Sequence, residues 1–412
     1  MHRDPSSNKC KFLPLGKWRK ELKQEDIPTP YMRLTDTIDM VGVQLCSTWN
    51  STRKKNGDTV REKVANVIGP WRGGKFMPLS QRPYSINTYA LSKVWHRSAT
   101  VNLRISDYNS INSSLKKWLY ADCILKPEEL ALYRPTQQGG LGLVSVQHKS
   151  IATFTRSFME LAVNPNYTNS NFLNLIYRKY VLDEDVGNIS LPPYFTYDFF
   201  DNIIAARNEG YDAINMSIKQ WYQFFLGRNV LNGNNFEPLP CKAEIENPDL
   251  LWPEIWKSIR DPSFSSITVS FMFKLTHNLL PTESRLHSTV GRRSNQSSPF
   301  CKYCSDRSQI ADAEHCLFDC DLTRDVGQWL LDTIRKQIPA ATPKDVMSLM
   351  TFAGSGPSWV ITCTMEYAWT QRLQMKRACV VECIAKLQAD LRILMMTRHN
   401  SVAESALTLL SS

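Results

Sequence analysis

Four potential metal ligands lie close together in the C-terminal half of the chain. Cys301 and Cys304 are separated by two residues, and His315 and Cys320 follow after a ten-residue connection. Two cysteines at this spacing can direct both sulfur atoms at one ion, and a second pair from the next turn would complete the tetrahedron that zinc prefers. The pattern predicts a structural zinc knuckle over 301–320. Four protein ligands leave no position for water, which disfavours metal-assisted hydrolysis.

The second ligand pair has an alternative, because Cys316 and Cys320 could supply it and leave His315 outside the site. We expect His315 to be the ligand, since Cys316 would point about 100° away from it on a helix. The eleven cysteines are otherwise scattered and do not form a disulfide framework. The first residues lack an apolar signal core and no stretch of eighteen apolar residues occurs, so we expect an intracellular protein, nuclear or cytoplasmic, without membrane contact.

Most of the remaining chain has helical periodicity, which predicts a mainly α fold. The predicted helices cover 59–72, 80–104, 106–121, 145–162, 170–182, 197–226, 250–280, 323–338 and 357–397. A short β-branched run at 38–45 predicts one strand, and the polar residues 51–58 predict a turn. Gly139, Gly140 and Gly142 predict a second turn. The last helix is expected to be long and amphipathic, with Arg372 on its polar face.

These patterns divide the chain into five predicted parts. They are a polar arm (1–35), a strand with a helical domain (36–160), a helical linker region (161–245), a helical segment with the knuckle (246–322) and C-terminal helices (323–412).

Several passages, taken in order, resemble the C-terminal part of reverse transcriptases from non-LTR (LINE-like) retrotransposons. Val41-Gly42-Val43-Gln44-Leu45 is similar to the last palm strand, and Pro135 with Gly139-Gly140-Leu141-Gly142-Leu143 to the turn that ends the thumb. The first thumb helices are matched by Trp71, Leu79-Ser80-Gln81-Arg82 and Ile86-Asn87-Thr88-Tyr89-Ala90-Leu91-Ser92-Lys93-Val94-Trp95. The zinc segment and the helices after it are matched by Lys274-Leu275, His277, Leu280-Pro281-Thr282, Arg285-Leu286, the knuckle, Trp329 and Tyr367-Ala368-Trp369-Thr370-Gln371-Arg372.

The resemblance implies a helical thumb-like bundle with a residual palm strand, followed by a helical C-terminal region that carries the small zinc knuckle. The family consists of RNA-directed DNA polymerases, which need palm carboxylates, including an Asp-Asp pair, to hold two Mg²⁺ ions. This sequence contains no Asp-Asp pair, and its first 35 residues are too few for fingers and palm. We therefore expect no catalytic residue here and no activity alone, with Mg²⁺ required only if a polymerase core is supplied in trans.

The expected partners are RNA and/or DNA, and possibly the missing polymerase core, rather than a small-molecule substrate. The net charge of +10 is compatible with a polyanion. The predicted nucleic-acid contacts are Arg72, Lys75, Arg82, Lys93 and Arg97 in the thumb-like part, and Arg285, Arg292, Arg293, Lys302 and Tyr303 near the knuckle. Tyr303 could stack on a base or cover the metal site. The alternative function is a domesticated or remnant zinc-knuckle module that binds protein.

Overall fold

The protein is mainly helical in its computed structural model. The structure describes residues 11–15, 18–27, 33–74, 77–121, 123–163, 170–192, 195–230, 244, 248, 251–289, 298–348, 356–396 and 400–411. Its helices are α1 (Trp18–Glu21), α2 (Trp49–Ile68), α3 (Arg82–Ser85), α4 (Ser92–Ser98), α5 (Ile105–Leu119), α6 (Glu129–Tyr133), α7 (Val146–Val163), α8 (Ser170–Val181), α9 (Tyr197–Asn208), α10 (Ile218–Val230), α11 (Trp252–Ile259), α12 (Ser266–Thr276), α13 (Glu283–Thr289), α14 (Arg324–Arg335), α15 (Pro343–Ser348), α16 (Gly356–Leu373), α17 (Val380–Met395) and α18 (Asn400–Ser411).

Short 3₁₀ and π segments lie between these helices. The 3₁₀ segments are Gln24–Asp26, Gly69–Gly74 and Thr136–Gln138, and the π segments are Ile86–Ala90 and His315–Asp319. The chain forms two compact units. The first comprises Met1–Gly73, Tyr84–Leu119 and Val144–Pro238, and the second comprises Gly74–Pro83, Tyr120–Leu143 and Leu239–Ser412. The five-part division made from the sequence stays a prediction.

The part of the first unit that the structure describes contains two short pairs of strands. Strands β1 (Lys11–Phe12) and β2 (Arg33–Leu34) are parallel, and β3 (Thr37–Met40) and β4 (Val43–Cys46) form an antiparallel hairpin. The prediction of one strand over 38–45 is therefore wrong. Val41 and Gly42 both have positive φ, 48° and 78°, which is the conformation of a two-residue hairpin turn. His96 Nε2 donates a hydrogen bond of 2.6 Å to the Val41 carbonyl and so holds this turn.

Helix α2 includes the residues that were predicted as a turn. It begins after Thr48, whose hydroxyl accepts a hydrogen bond of 3.1 Å from the backbone N–H of Ser51. Asn56 is fully buried, and its side-chain amide donates to the Gln44 carbonyl at 2.7 Å and accepts from the Gln44 N–H at 3.1 Å. Gly57 is also buried. The prediction of a turn at 51–58 is wrong because these two residues, which favour turns locally, make tertiary contacts from within a helix.

An aromatic core joins the later helices of the first unit. Phe158 on α7 meets Phe195, Phe199 and Phe200 with ring centroids 5.0–5.9 Å apart. The single helix predicted over 197–226 is two helices, α9 and α10, because the chain turns between them at Gly210, where φ is 86°.

The second unit contains the glycine turn that was predicted at 139–142. Gly139 and Gly142 have φ values of 79° and 67°, which confirms the turn. A Cβ atom on Gly139 would lie 2.3 Å from the indole of Trp256, so this position requires glycine for space as well as for conformation. His277 stacks on the same indole at 5.5 Å, and its Nε2 donates to the Gly139 carbonyl at 2.8 Å.

The C-terminal helices of the second unit share one apolar core. The prediction of one long helix over 357–397 is wrong. A turn in which Met375 has a φ of 57° divides this segment into α16 and α17. Trp359, Leu330 and Leu387 are buried in the same cluster as the cysteines of the predicted knuckle. The helices after the knuckle and the knuckle itself therefore have a common core.

Candidate metal centre

A short hairpin presents the first two cysteines of the candidate site. Phe300 and Ile310 pair as an antiparallel bridge, and the Cys301 N–H donates to the Gln309 carbonyl at 2.8 Å. Asp306 closes the loop by accepting hydrogen bonds from the backbone N–H and the hydroxyl of Ser308, at 2.9 and 2.6 Å. The loop between Cys301 and the bridge is therefore shaped by local hydrogen bonds.

A π turn presents the other two ligands. The carboxylate of Asp312 accepts a hydrogen bond of 2.9 Å from the backbone N–H of His315, as an N-cap does. The Cys320 N–H then donates to the His315 carbonyl at 2.8 Å and closes the π segment His315–Asp319. Residues five apart on an α-helix would point about 140° apart, whereas a π turn brings them close to the same side. This turn allows His315 and Cys320 to reach one ion.

The four side chains converge on one point in the interior. The ligand atoms of Cys301, Cys304, His315 and Cys320 all lie within 4.8 Å of one another, and all four residues are buried. The sulfur atoms of Cys301 and Cys320 are 3.8 Å apart, and Cys304 Sγ is 3.3 Å from His315 Nε2. This group could hold a structural metal ion such as zinc.

Two of the distances between ligand atoms are close to the edges of a tetrahedral zinc site. With Zn–S distances of about 2.3 Å and a Zn–N distance of about 2.0–2.1 Å, a tetrahedral site has S···S edges of about 3.8 Å and S···N edges of about 3.6 Å. The distances of 3.8 and 3.3 Å are close to these edges. The Asp321 N–H also donates to Cys304 Sγ at 3.3 Å, which stabilises a thiolate at that position.

Cys316 lies outside the ligand group although it is next to His315 in sequence. The cluster includes His315 and leaves Cys316 out. The Cys316 thiol is fully buried, and burial raises its pKa above the usual range. Its carbonyl accepts a hydrogen bond of 2.9 Å from the Thr323 hydroxyl. Of the two ligand sets open from the sequence, this geometry favours the one with His315.

The thiols of the group have different affinities for protons. Burial raises the pKa of Cys304 to about 12 and also raises the pKa of Cys320. Burial acts to raise the pKa of Cys301 as well, but hydrogen bonds from the Tyr303 backbone and the His315 side chain lower it to about 7. Three buried thiolates together need a cation, because the protein interior alone disfavours their charge.

The predicted nucleic-acid contacts of the thumb-like part do not form one exposed surface. Arg82 is 1% exposed and donates from Nε to the Met77 carbonyl at 2.8 Å, and Arg97 is 7% exposed. The prediction that Arg82 and Arg97 contact nucleic acid is therefore wrong, because buried guanidinium groups do not lie on a phosphate-binding face. Lys93 is exposed, as that role requires. Lys75 lies outside the described residues, as does the side chain of Arg72.

The predicted nucleic-acid contacts around the knuckle also differ in their exposure to solvent. Lys302 is exposed, with 64% of its side chain accessible, and its ammonium lies 4.9 Å from the ring centroid of Tyr303. Arg285 is half-buried and donates from Nε to the Asn278 carbonyl at 3.0 Å. Tyr303 is half-buried. Arg292 and Arg293 lie outside the described residues.

The structure adds residues to the site that sequence reasoning missed. Arg372 was predicted on an exposed face, but it is 3% exposed and its Nη2 lies 3.9 Å from Cys301 Sγ. Its partner Glu283 was not considered either. Asp312, three residues before His315, follows the usual N-cap spacing and could have been found from the sequence. Nothing in the sequence around Arg372 indicates that it reaches the cysteines.

A search against known protein families finds no match, and a search of curated proteins finds no similar sequence. Within the described ranges, the structure has no helix whose length and apolar character would allow it to cross a bilayer.

Proposed function

We propose that this chain is a zinc-stabilised, nucleic-acid-binding C-terminal portion of an RNA-directed DNA polymerase of the non-LTR retrotransposon type. The observation that carries the proposal is the buried group of three cysteines and one histidine, because these residues and their order in the sequence resemble the zinc segment of that family. The sequence order of the other resembling passages, from Val41 to Arg372, supports the same assignment.

The metal would have a structural role. Zinc bound by Cys301, Cys304, His315 and Cys320 would have four protein ligands and no open position for a substrate or a water molecule. The chain lacks an Asp-Asp pair for the two-metal chemistry of polymerases. Mg²⁺ would therefore act only with a polymerase core supplied in trans, and this chain would contribute binding rather than catalysis.

An exposed lysine and an exposed tyrosine on the first unit support nucleic-acid binding. Lys93 is exposed on α4. Tyr89, one turn earlier, is 56% exposed. A cation can contact phosphate groups while an exposed ring stacks on an unpaired base, and this combination binds single strands with little sequence preference.

Binding to labelled RNA and duplex DNA at several salt concentrations tests this proposal. We expect a linear decrease of log affinity with log salt, and we expect Lys93→Gln to weaken binding and reduce the salt slope by about 1. Lys344→Gln removes the same charge from an exposed position on α15 and serves as the control. A flat salt response, or equal effects of the two variants, would contradict the proposed binding surface.

A protein-binding module is the second candidate function. It is favoured by exposed apolar side chains at the end of α17, since Ile393 is 60% exposed and Met396, three residues later, is 87% exposed. This function predicts zinc binding without salt-dependent affinity for RNA or DNA. The titration described above therefore separates the two functions.

A further inference from the structure

A buried arginine from α16 reaches the candidate metal centre. The Arg372 side chain is 4% exposed, and its Nη2 lies 2.7 Å from Glu283 Oε2. The same nitrogen lies 3.9 Å from Cys301 Sγ, within the range of a hydrogen bond to sulfur. One guanidinium group therefore connects a carboxylate on α13 with a ligand atom of the metal centre.

Two aromatic rings enclose this guanidinium. Its central carbon lies 4.9 Å from the ring centroid of Tyr303, the residue just before the ligand Cys304. The same carbon lies 5.9 Å from the ring centroid of Trp369. Cation–π contacts are strongest for desolvated groups, so both rings stabilise Arg372 in its buried position. They also connect the Cys301–Cys304 loop directly to α16.

The charge balance accounts for a buried cation here. Removing a guanidinium from water is unfavourable unless its charge is compensated. Glu283 pairs with Arg372 at 2.7 Å and, more loosely, with the exposed Lys302 at 3.9 Å. Three thiolates with one Zn²⁺ and a neutral histidine would add a formal charge of about −1 beside Arg372. The loaded centre would therefore attract Arg372.

We propose that Arg372 is an outer positioning residue of the metal centre, which orients the Cys301 thiolate and stabilises the bound ion. This inference rests on the metal site proposed above. Partners that orient metal ligands in this way contribute about 10–100-fold in metal affinity. Arg372 would thereby make the order of α16 and the occupancy of the metal site depend on each other.

Cobalt(II) in place of zinc provides the test, because its sulfur-to-metal charge-transfer bands report on each thiolate. We expect Arg372→Gln to lower cobalt affinity about 10–100-fold and to move these bands to lower energy, since the sulfur loses a hydrogen bond. Arg377→Gln is the matched control, because Arg377 has a side chain 71% exposed and pairs with Asp325 at 2.9 Å on the surface. It should change neither the affinity nor the bands.

The possible outcomes are distinct. Unchanged affinity and bands in Arg372→Gln would overturn the role of Arg372. If that variant does not fold, Arg372→Lys decides, because a lysine ammonium lacks the planar face that packs against the rings of Tyr303 and Trp369. This variant should bind cobalt several-fold more weakly. Equal affinity in Arg372→Lys would then overturn the proposal. Failure of the unchanged chain to bind zinc or cobalt would instead refute the metal site itself.

Discussion

Removal of one metal ligand should have a much larger effect than removal of the adjacent cysteine that lies outside the site. Cys320→Ala and Cys316→Ala each delete one cysteine sulfur atom, and both positions are fully buried. Only Cys320 has its sulfur in the ligand group, 3.8 Å from Cys301 Sγ. The pair therefore separates metal coordination from simple loss of packing.

The expected magnitudes differ by several kcal/mol. Structural zinc contributes about 10–16 kcal/mol of apparent binding free energy in small zinc domains, whereas whole domains are stable by only about 5–15 kcal/mol. Cys320→Ala should thus lose zinc and unfold the segment around the knuckle. Cys316→Ala removes one buried heavy atom and should cost about 1 kcal/mol, comparable to the loss of a buried methyl group.

Elemental analysis and thermal unfolding with and without a chelator measure both effects. We expect about one zinc per chain in the unchanged protein and in Cys316→Ala, and a chelator should lower the unfolding temperature of both. Cys320→Ala should contain little zinc and should not respond to the chelator. Zinc loss in Cys316→Ala with retention in Cys320→Ala would refute the ligand set, and a chelator-insensitive unchanged chain would refute the metal site.

Two further predictions concern stability. Gly57→Ala should destabilise the chain by about 1–3 kcal/mol, because its Cβ would lie 2.4 Å from Asp107 Oδ2. Urea unfolding in which Gly57→Ala is as stable as the unchanged chain would refute this prediction. Burial lowers the pKa of His277 to about 4, below the unfolded value of about 6.5, so its contribution to stability should be lost as pH falls from 6.5 towards 4. His277→Gln should reduce that loss by about 3 kcal/mol in urea titrations across this range, and an unchanged pH dependence would contradict the assignment.

The sequence predicts the parts of this structure that depend on local spacing. Cys301 and Cys304 are separated by two residues in a loop closed by hydrogen bonds, and the glycine turn requires positive φ at Gly139 and Gly142. Both features follow from the geometry of a few neighbouring residues. The ligand group and the turn could therefore be predicted without knowledge of the tertiary fold.

Other parts depend on contacts that local patterns do not contain. Asn56 and Gly57 favour a turn by propensity, but Asn56 pairs with the backbone of Gln44 and Gly57 allows Asp107 to approach. Helical periodicity continues from α16 into α17, although the chain turns at Met375. Arg372 was placed on a polar face because arginine is usually exposed. Its burial follows from Glu283 and Cys301, which are far from it in sequence.

The environment of the ligands bears on how the metal would act in the protein. In an isolated knuckle, the ion would be the main source of stability for a small exposed loop. Here Cys301 and Cys320 are buried in the same apolar cluster as Trp359 and Leu387, on helices that follow the knuckle. Binding of the ion would therefore stabilise these helices together with the loop, because their cores are continuous. Metal removal should then weaken hydrogen-exchange protection in α16 and α17, and not only between 298 and 320.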